Sequence, residues 1–282
     1  MTLFNAQTFK LLNSASLVGF SGGLRLYLAF LLAGIAPNFV LIIAASLIIY
    51  ATYTLDRSLE NKEDVINRQE LTGANKMTGL IASGIAILIG IALFFSKNLF
   101  SPPLLPFFVG ILYSRGIPIG TRRIKLKGGS GIKNLVIGIT WGGTIGLVIA
   151  STGQIAAAIV ICFYFGLKLF INSTIFDLKD MKGDLAAGIR TLPISLGEKR
   201  LKYLLFSLCS IQHIVLALAM MVGILVRSEI FFVYSFTMSG LVIIYYTPEF
   251  ESSASWLKRK FRILAINFEP IVLVILSILH PY

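Results

Sequence analysis

The sequence predicts an all-α fold of nine membrane-spanning helices, on three observations. The chain is too apolar for water, its apolar runs have spanning length, and its cations fall almost wholly on one side of those runs. Of its 282 residues, 56% are hydrophobic and 13% charged, and the mean hydropathy is +0.84. A soluble domain carries about 25% charged residues, so this chain needs lipid as part of its solvent. The net charge of +12 does not indicate nucleic acid. The Lys and Arg sit in short loops between apolar runs, where they report orientation and contact with anionic headgroups or substrates.

A helix crosses the hydrocarbon core with about 20 residues. Nine segments qualify: Ser14 to Ile35, Pro37 to Leu59, Met77 to Ser96, Leu99 to Tyr113, Ile132 to Ser151, Gln154 to Phe176, Leu201 to Val226, Ile230 to Tyr246 and Phe261 to Leu279. The fourth is short and carries Pro102, Pro103 and Pro106. With nine spans, the N-terminus and every even-to-odd loop share one side. That side collects all Lys and Arg except Lys97 and Arg227 on the other side, and Arg25 and Lys168 within spans. The asymmetry predicts a cytoplasmic N-terminus, a C-terminus across the cell membrane, and long cytoplasmic loops over Glu60 to Lys76, Ser114 to Gly131 and Asp177 to Arg200. No linker interrupts the chain, so residues 1–282 are read as a single domain. No cleavable signal segment is expected, since Lys10 is not followed by a short apolar core with a small-residue cleavage site. Cys162 and Cys209 lie in apolar runs as small core residues, and His213 and His280 are isolated.

The chain has 13 acidic residues, and two tight groups hold most of them. Asp56, Glu60, Glu63 and Asp64 follow the second span; Asp177, Asp180 and Asp184 follow the sixth. Asp56, Glu60 and Asp64 are spaced i, i+4, i+8, which on a helix stacks three carboxylates on one face. Asp180 and Asp184 repeat the i, i+4 spacing, with Asp177 on the same side. Like charges so spaced repel, and Mg²⁺ is the natural counter-charge, because it takes carboxylate oxygens together with waters and substrate phosphates. An allylic diphosphate ionises when its leaving group is neutralised, which metal-bearing carboxylates with Arg and Lys accomplish. The resulting carbocation needs a dry apolar pocket. The basic loop with Arg122, Arg123, Lys125 and Lys127 offers cations to a diphosphate, while positive-inside topology by itself explains some of these residues.

These two groups resemble the motifs of the UbiA family of intramembrane prenyltransferases. The family's Asn-x-x-x-Asp-x-x-x-Asp followed by x-x-Asn-Arg is matched by DRSLENKEDVINR, with Asp56 in the Asn place, Glu60 and Asp64 in the two Asp places, then Asn67 and Arg68. The second motif, Asp-x-x-Asp-x-x-x-Asp, is matched by DLKDMKGD and its continuation LAAGIRTLPISLG. A weaker likeness is LYS at Leu112 to Ser114. Asp56 and Glu60 depart from the family's usual Asn and Asp, keeping oxygen ligands but adding a charge and a methylene. The resemblance implies nine helices around a central lipid-open cavity, with cytoplasmic loops as a cap. It implies catalytic and Mg²⁺-binding roles for Asp56, Glu60, Asp64, Asp177, Asp180 and Asp184. It also implies a prenyl diphosphate donor, from geranyl to geranylgeranyl or longer, and an aromatic or other lipid-soluble acceptor as in lipid or quinone biosynthesis.

Candidates for the diphosphate are Asn67, Tyr113, Arg122, Arg123, Lys125 and the two mid-span cations, Arg25 and Lys168. A charge within a span is costly and faces an interior cavity or a partner. For either cation the second reading is a buried partner for Glu269 or a snorkelling side chain; Glu269 precedes Pro270, and that pair marks a kink with a structural charge in the ninth span. Gly138, Gly142 and Gly146 form a small-residue stripe for helix packing. The other reading weighed for the acidic groups is a cation pathway in a transporter, but that places ionisable residues near mid-membrane. A CDP-alcohol phosphotransferase is disfavoured, for want of its Asp-Gly before Ala-Arg run.

Overall fold

The computed structural model describes residues 5–59, 67–115, 117–119, 122–124, 130–186, 188–246 and 256–280. Its helices are α1 (Ala6–Ser14), α2 (Ser16–Leu32), α3 (Phe39–Ser58), α4 (Lys76–Phe95), α5 (Ser101–Arg115), α6 (Ile132–Ala150), α7 (Ile155–Ala186), α8 (Leu192–Met221), α9 (Glu229–Tyr246) and α10 (Trp256–Leu279). Between α5 and α6 a small antiparallel hairpin pairs β1 (Ile117–Ile119) with β2 (Arg122–Ile124). Each of the nine expected spans falls on a helix; the first falls on α2, which a further short helix, α1, precedes. Among the described residues eight spans, counting α1 with α2, are long and apolar enough to cross a membrane, as expected of an integral membrane protein. The other, α5, has 15 residues, about 22 Å at 1.5 Å per residue, short of the ~30 Å core.

Helix starts follow local chemistry. Asn38 accepts from the N–H groups of Val40 and Leu41 at the start of α3, and Asn75 accepts from Thr78 at the start of α4. Both satisfy donors that have no helical partner. Pro102 and Pro103 fall in the first turn of α5, where no N–H is required of them.

Each helix from α2 to α10 packs on the next in chain order, and α10 packs on α2, so the described helices close a ring. The tightest contact is α6 on α7. A Cβ on Gly142 would lie 2.6 Å from the Cα and N of Gly166, and one on Gly138 would lie 2.6 Å from the Gly166 carbonyl oxygen. The glycine stripe therefore lets two backbones touch, as its spacing implies. Gly142→Val is expected to force these helices apart and cost about 1–3 kcal/mol, read as a lower melting temperature of the protein in detergent.

Two sequence expectations are corrected. The second acidic group lies on a helix, not in a loop: α7 has 32 residues and runs on past the apolar stretch. Hydropathy marks where lipid ends, and a helix whose backbone bonds are internal continues into the polar interface. Likewise α8 starts nine residues before Leu201, bending at Gly197, whose φ of +71° suits glycine. α3 ends at Ser58 with Leu59 extended; the expected stacked face of Asp56, Glu60 and Asp64 runs into residues outside those described. Among the described residues, apolar side chains fill much of the ring interior. Phe30, Phe94, Tyr164 and Ile161 are buried in it, leaving a cavity of about 40 Å³. The larger space, about 530 Å³, is a groove between α9 and α10 lined by Tyr234, Tyr246, Phe261, Phe268 and Glu269.

Candidate active site

The last three turns of α7 carry Asp177, Asp180 and Asp184. Positions i and i+7 are about 20° apart around a helix, so Asp177 and Asp184 share a stripe. They are 1% and 3% exposed, whereas Asp180, off that stripe, is half-buried. Burying carboxylates requires compensation. Asp177 receives it from the start of α6: Lys133 Nζ donates to Oδ1 at 2.9 Å and Asn134 Nδ2 to Oδ2 at 2.8 Å. The glycine-packed contact of α6 with α7 positions both donors. Sequence reasoning missed this pair, reading Lys133 only as a topology cation. Its signal was a Lys-Asn placed directly after the Gly-rich stretch that ends at Gly131, which has φ +80°.

The two acidic segments meet through one dipeptide. Asn67 Nδ2 donates to Asp184 Oδ1 at 3.4 Å, and its Oδ1 accepts from the Gly183 N–H at 3.2 Å. Its neighbour Arg68 reaches back to Asp56 Oδ2 at 3.5 Å. Asn67 thus ties the first segment to the end of α7, and Gly183 is needed there, since a Cβ would lie 2.3 Å from Asn67 Oδ1. Glu60, Asp64 and Lys125 lie outside the described residues. Tyr113, Arg122 and Arg123 are described in backbone only, at the end of α5 and on β2.

Below Asp56 the site turns apolar. Arg57 lies over the ring of Tyr53 at 5.9 Å, and Tyr53 stacks on Trp141 with centroids 6.4 Å apart and planes 20° from parallel. Tyr53 and Trp141 line the inner cavity with Ile49, Thr144, Leu169 and Arg25. Polar head contacts at a helix end above an aromatic-walled cavity suit a ligand with a charged head and an apolar tail.

The two mid-span cations are not brought to the acidic end. Lys168 precedes Asp177 by nine residues, about 13 Å along α7 and half a turn around it. It is buried between Glu269 of α10 and Ser239 of α9. Gly19 approaches Ser46 and Tyr50, and Gly23 approaches Ile42 and Ser46. That register sets the Arg25 backbone opposite the first turn of α3, roughly 20 Å from the level of Asp56. Arg25 instead donates to Ser21 and to the Ile266 carbonyl.

A divalent cation suits the donors present: hard carboxylate oxygens at a helix end, of which buried Asp177 already draws an ammonium group. Among the described residues no three acidic, His or Cys side chains converge on one point. Glu60 and Asp64 of the first segment lie outside the described residues.

Comparison with known proteins agrees with this layout. Solved structures share the fold along nearly the whole chain. A digeranylgeranylglyceryl phosphate synthase superposes with TM-score 0.60 at 15% identity, covering 95% of this chain and 96% of that one. A UbiA homologue from Archaeoglobus fulgidus bound to GPP and Mg²⁺ gives TM-score 0.60 at 13% identity, covering 95% and 99%. An apo UbiA homologue from Aeropyrum pernix K1 gives 0.60 at 14%, covering 93% and 98%. At these identities the likeness is one of fold. In sequence, the chain is 28% identical over 145 residues to the digeranylgeranylglyceryl phosphate synthase of Halobacterium salinarum, 51% of this chain and 50% of that protein. The match therefore spans about half the length of that relative. The UbiA prenyltransferase family profile matches residues 26–266. With its ring of helices and paired acidic segments, this chain belongs to the UbiA prenyltransferase family.

Proposed function

We propose that this protein transfers a prenyl group from a prenyl diphosphate to a lipid-soluble acceptor, with Mg²⁺, at the end of the ring that carries Asp56 and Asp177. The observation that carries the reading is the Asn67-Arg68 tie, which joins the two acidic segments over one apolar cavity. Mg²⁺ would be held by Asp56, Glu60 and Asp64 on one side and by Asp177, Asp180 and Asp184 on the other. When bound, it supplies positive charge to the leaving diphosphate.

The protein's own groups do the rest. Arg68 and Lys133 stand beside Asp56 and Asp177, where they add positive charge to the diphosphate head. Tyr113, at the end of α5, and Arg122, Arg123 and Lys125, in the sequence between α5 and α6, are the groups proposed to cap it. The bond from C1 of the prenyl chain to the diphosphate oxygen breaks, and diphosphate leaves with the electron pair. The allylic cation faces the rings of Tyr53 and Trp141, whose π-faces stabilise positive charge and whose surroundings exclude water. A hydroxyl oxygen or ring carbon of the acceptor then bonds to C1, and a carboxylate of the α7 group takes the displaced proton. A cavity of about 40 Å³ has room for only a few atoms, so the tail enters as side chains such as Leu169 and Trp141 turn aside. The cation asymmetry supports an acidic end facing the cytoplasm. The name of the Halobacterium relative, a synthase of a digeranylgeranylglyceryl phosphate, supports a lipid alcohol among the acceptors.

The test is turnover of labelled geranyl and geranylgeranyl diphosphate by the purified protein in lipid, against a panel of aromatic acids and lipid alcohols. Transfer is expected with Mg²⁺ and is expected to stop with EDTA. Absence of both transfer and Mg²⁺-dependent donor binding would overturn the reading, most directly if the protein instead passed cations across vesicles.

A further inference from the structure

Pro270 sits inside α10. Proline has no N–H, so the carbonyl four residues earlier, that of Ile266, loses its helical donor. Within a membrane no bulk water replaces it, and an unmet carbonyl is costly. Arg25, buried at 5% exposure, donates from Nη2 to that same carbonyl at 3.3 Å and from Nη1 to Ser21 Oγ at 2.6 Å. The register is the one the missing bond demands. Because Arg25 is on α2, the replacement donor also joins the first and last members of the ring.

A second tie lies one residue away. Glu269 accepts from Lys168 of α7, and the same ammonium donates to Ser239 of α9. Four helices thus converge on residues 266–270. One member, Arg25, lines the inner cavity, and another, Glu269, lines the groove between α9 and α10.

We infer that Arg25 is a positioning residue of the last helix: it supplies the hydrogen bond that Pro270 withholds from Ile266 and, with the Lys168–Glu269 pair, sets the bend of α10 against α2 and α7. A guanidinium suits the task, because its planar fork serves Ser21 and Ile266 together, which a lysine ammonium on a flexible stem does not reproduce. The inference is independent of the proposed reaction, since its main readout is stability.

The experiment is a double-mutant cycle on the full-length protein in lipid nanodiscs, with Arg25→Met, Pro270→Ala and both together. Pro270→Ala restores an N–H to Ile266 and removes the need for Arg25. Arg25→Met alone is expected to lower the melting temperature by roughly 5 °C. In the Pro270→Ala background the same change is expected to lower it by less than half as much. If Arg25→Met alone fails to fold and the double mutant folds, the coupling is established directly. Equal losses in both backgrounds, or failure of both to fold, would overturn the inference. So would a tenfold or greater loss of donor binding in both backgrounds, which would make Arg25 a diphosphate ligand.

Discussion

Asp180→Ala is expected to reduce prenyl transfer by about a thousandfold or more while moving the melting temperature little. Removing one group that stabilises developing charge commonly costs a factor of about 10² to 10³, and a carboxylate that also holds a metal adds its loss of affinity. Asp180 is half-buried between two buried neighbours on the last turns of α7. Asp177 should behave differently. Both its oxygens are taken by Lys133 and Asn134, so Asp177→Ala is expected to loosen α6 from the end of α7 as well as to lower turnover. The comparison is made by measuring turnover and melting together for each variant. Equal loss of stability in both would mean that Asp180 also acts through the scaffold.

Glu269→Leu is expected to destabilise the protein by about 3–5 kcal/mol, because it leaves Lys168 charged and buried with only Ser239 as a hydrogen-bond partner. The side chains of Lys168 and Glu269 are 6% and 7% exposed, so water does little to relieve either one alone. Lys168→Met combined with Glu269→Leu is expected to recover most of the loss, since replacing a whole buried pair by apolar groups is often neutral. Denaturant titration of the single and double variants in mixed micelles checks this. A double variant as unstable as Glu269→Leu would mean that the pair specifies the packing of α7, α9 and α10 beyond its charge.

Much of the architecture was legible in the sequence, for reasons that are local. Spanning length and hydropathy identify the helices, because no backbone crosses lipid with its polar groups unmet. Cation placement groups the loops by side. The spacing of Gly138, Gly142 and Gly146 announces a close helix contact, and the acidic spacing announces a shared site. Helix ends were less legible: α7 outruns its apolar stretch and α8 starts before its own, since hydropathy marks the lipid boundary and not where helical hydrogen bonding ends.

Partnership belongs to the tertiary structure. From sequence Arg25 and Lys168 were two costly charges that could equally face a ligand or a protein group, and the packing of α10 decides for Ile266 and Glu269. Lys133 read as one cation among many until α6 met α7 and set it on Asp177. Asn67 read as the tail of a motif until it bonded Asp184, 117 residues away. The sequence by itself determined that the chain lives in a membrane and carries two acidic segments, because hydropathy and helical spacing act over a few turns. Only the closing of the ring decided which charges face one another, because a salt bridge or hydrogen bond acts over a few ångströms between residues that chain distance leaves far apart.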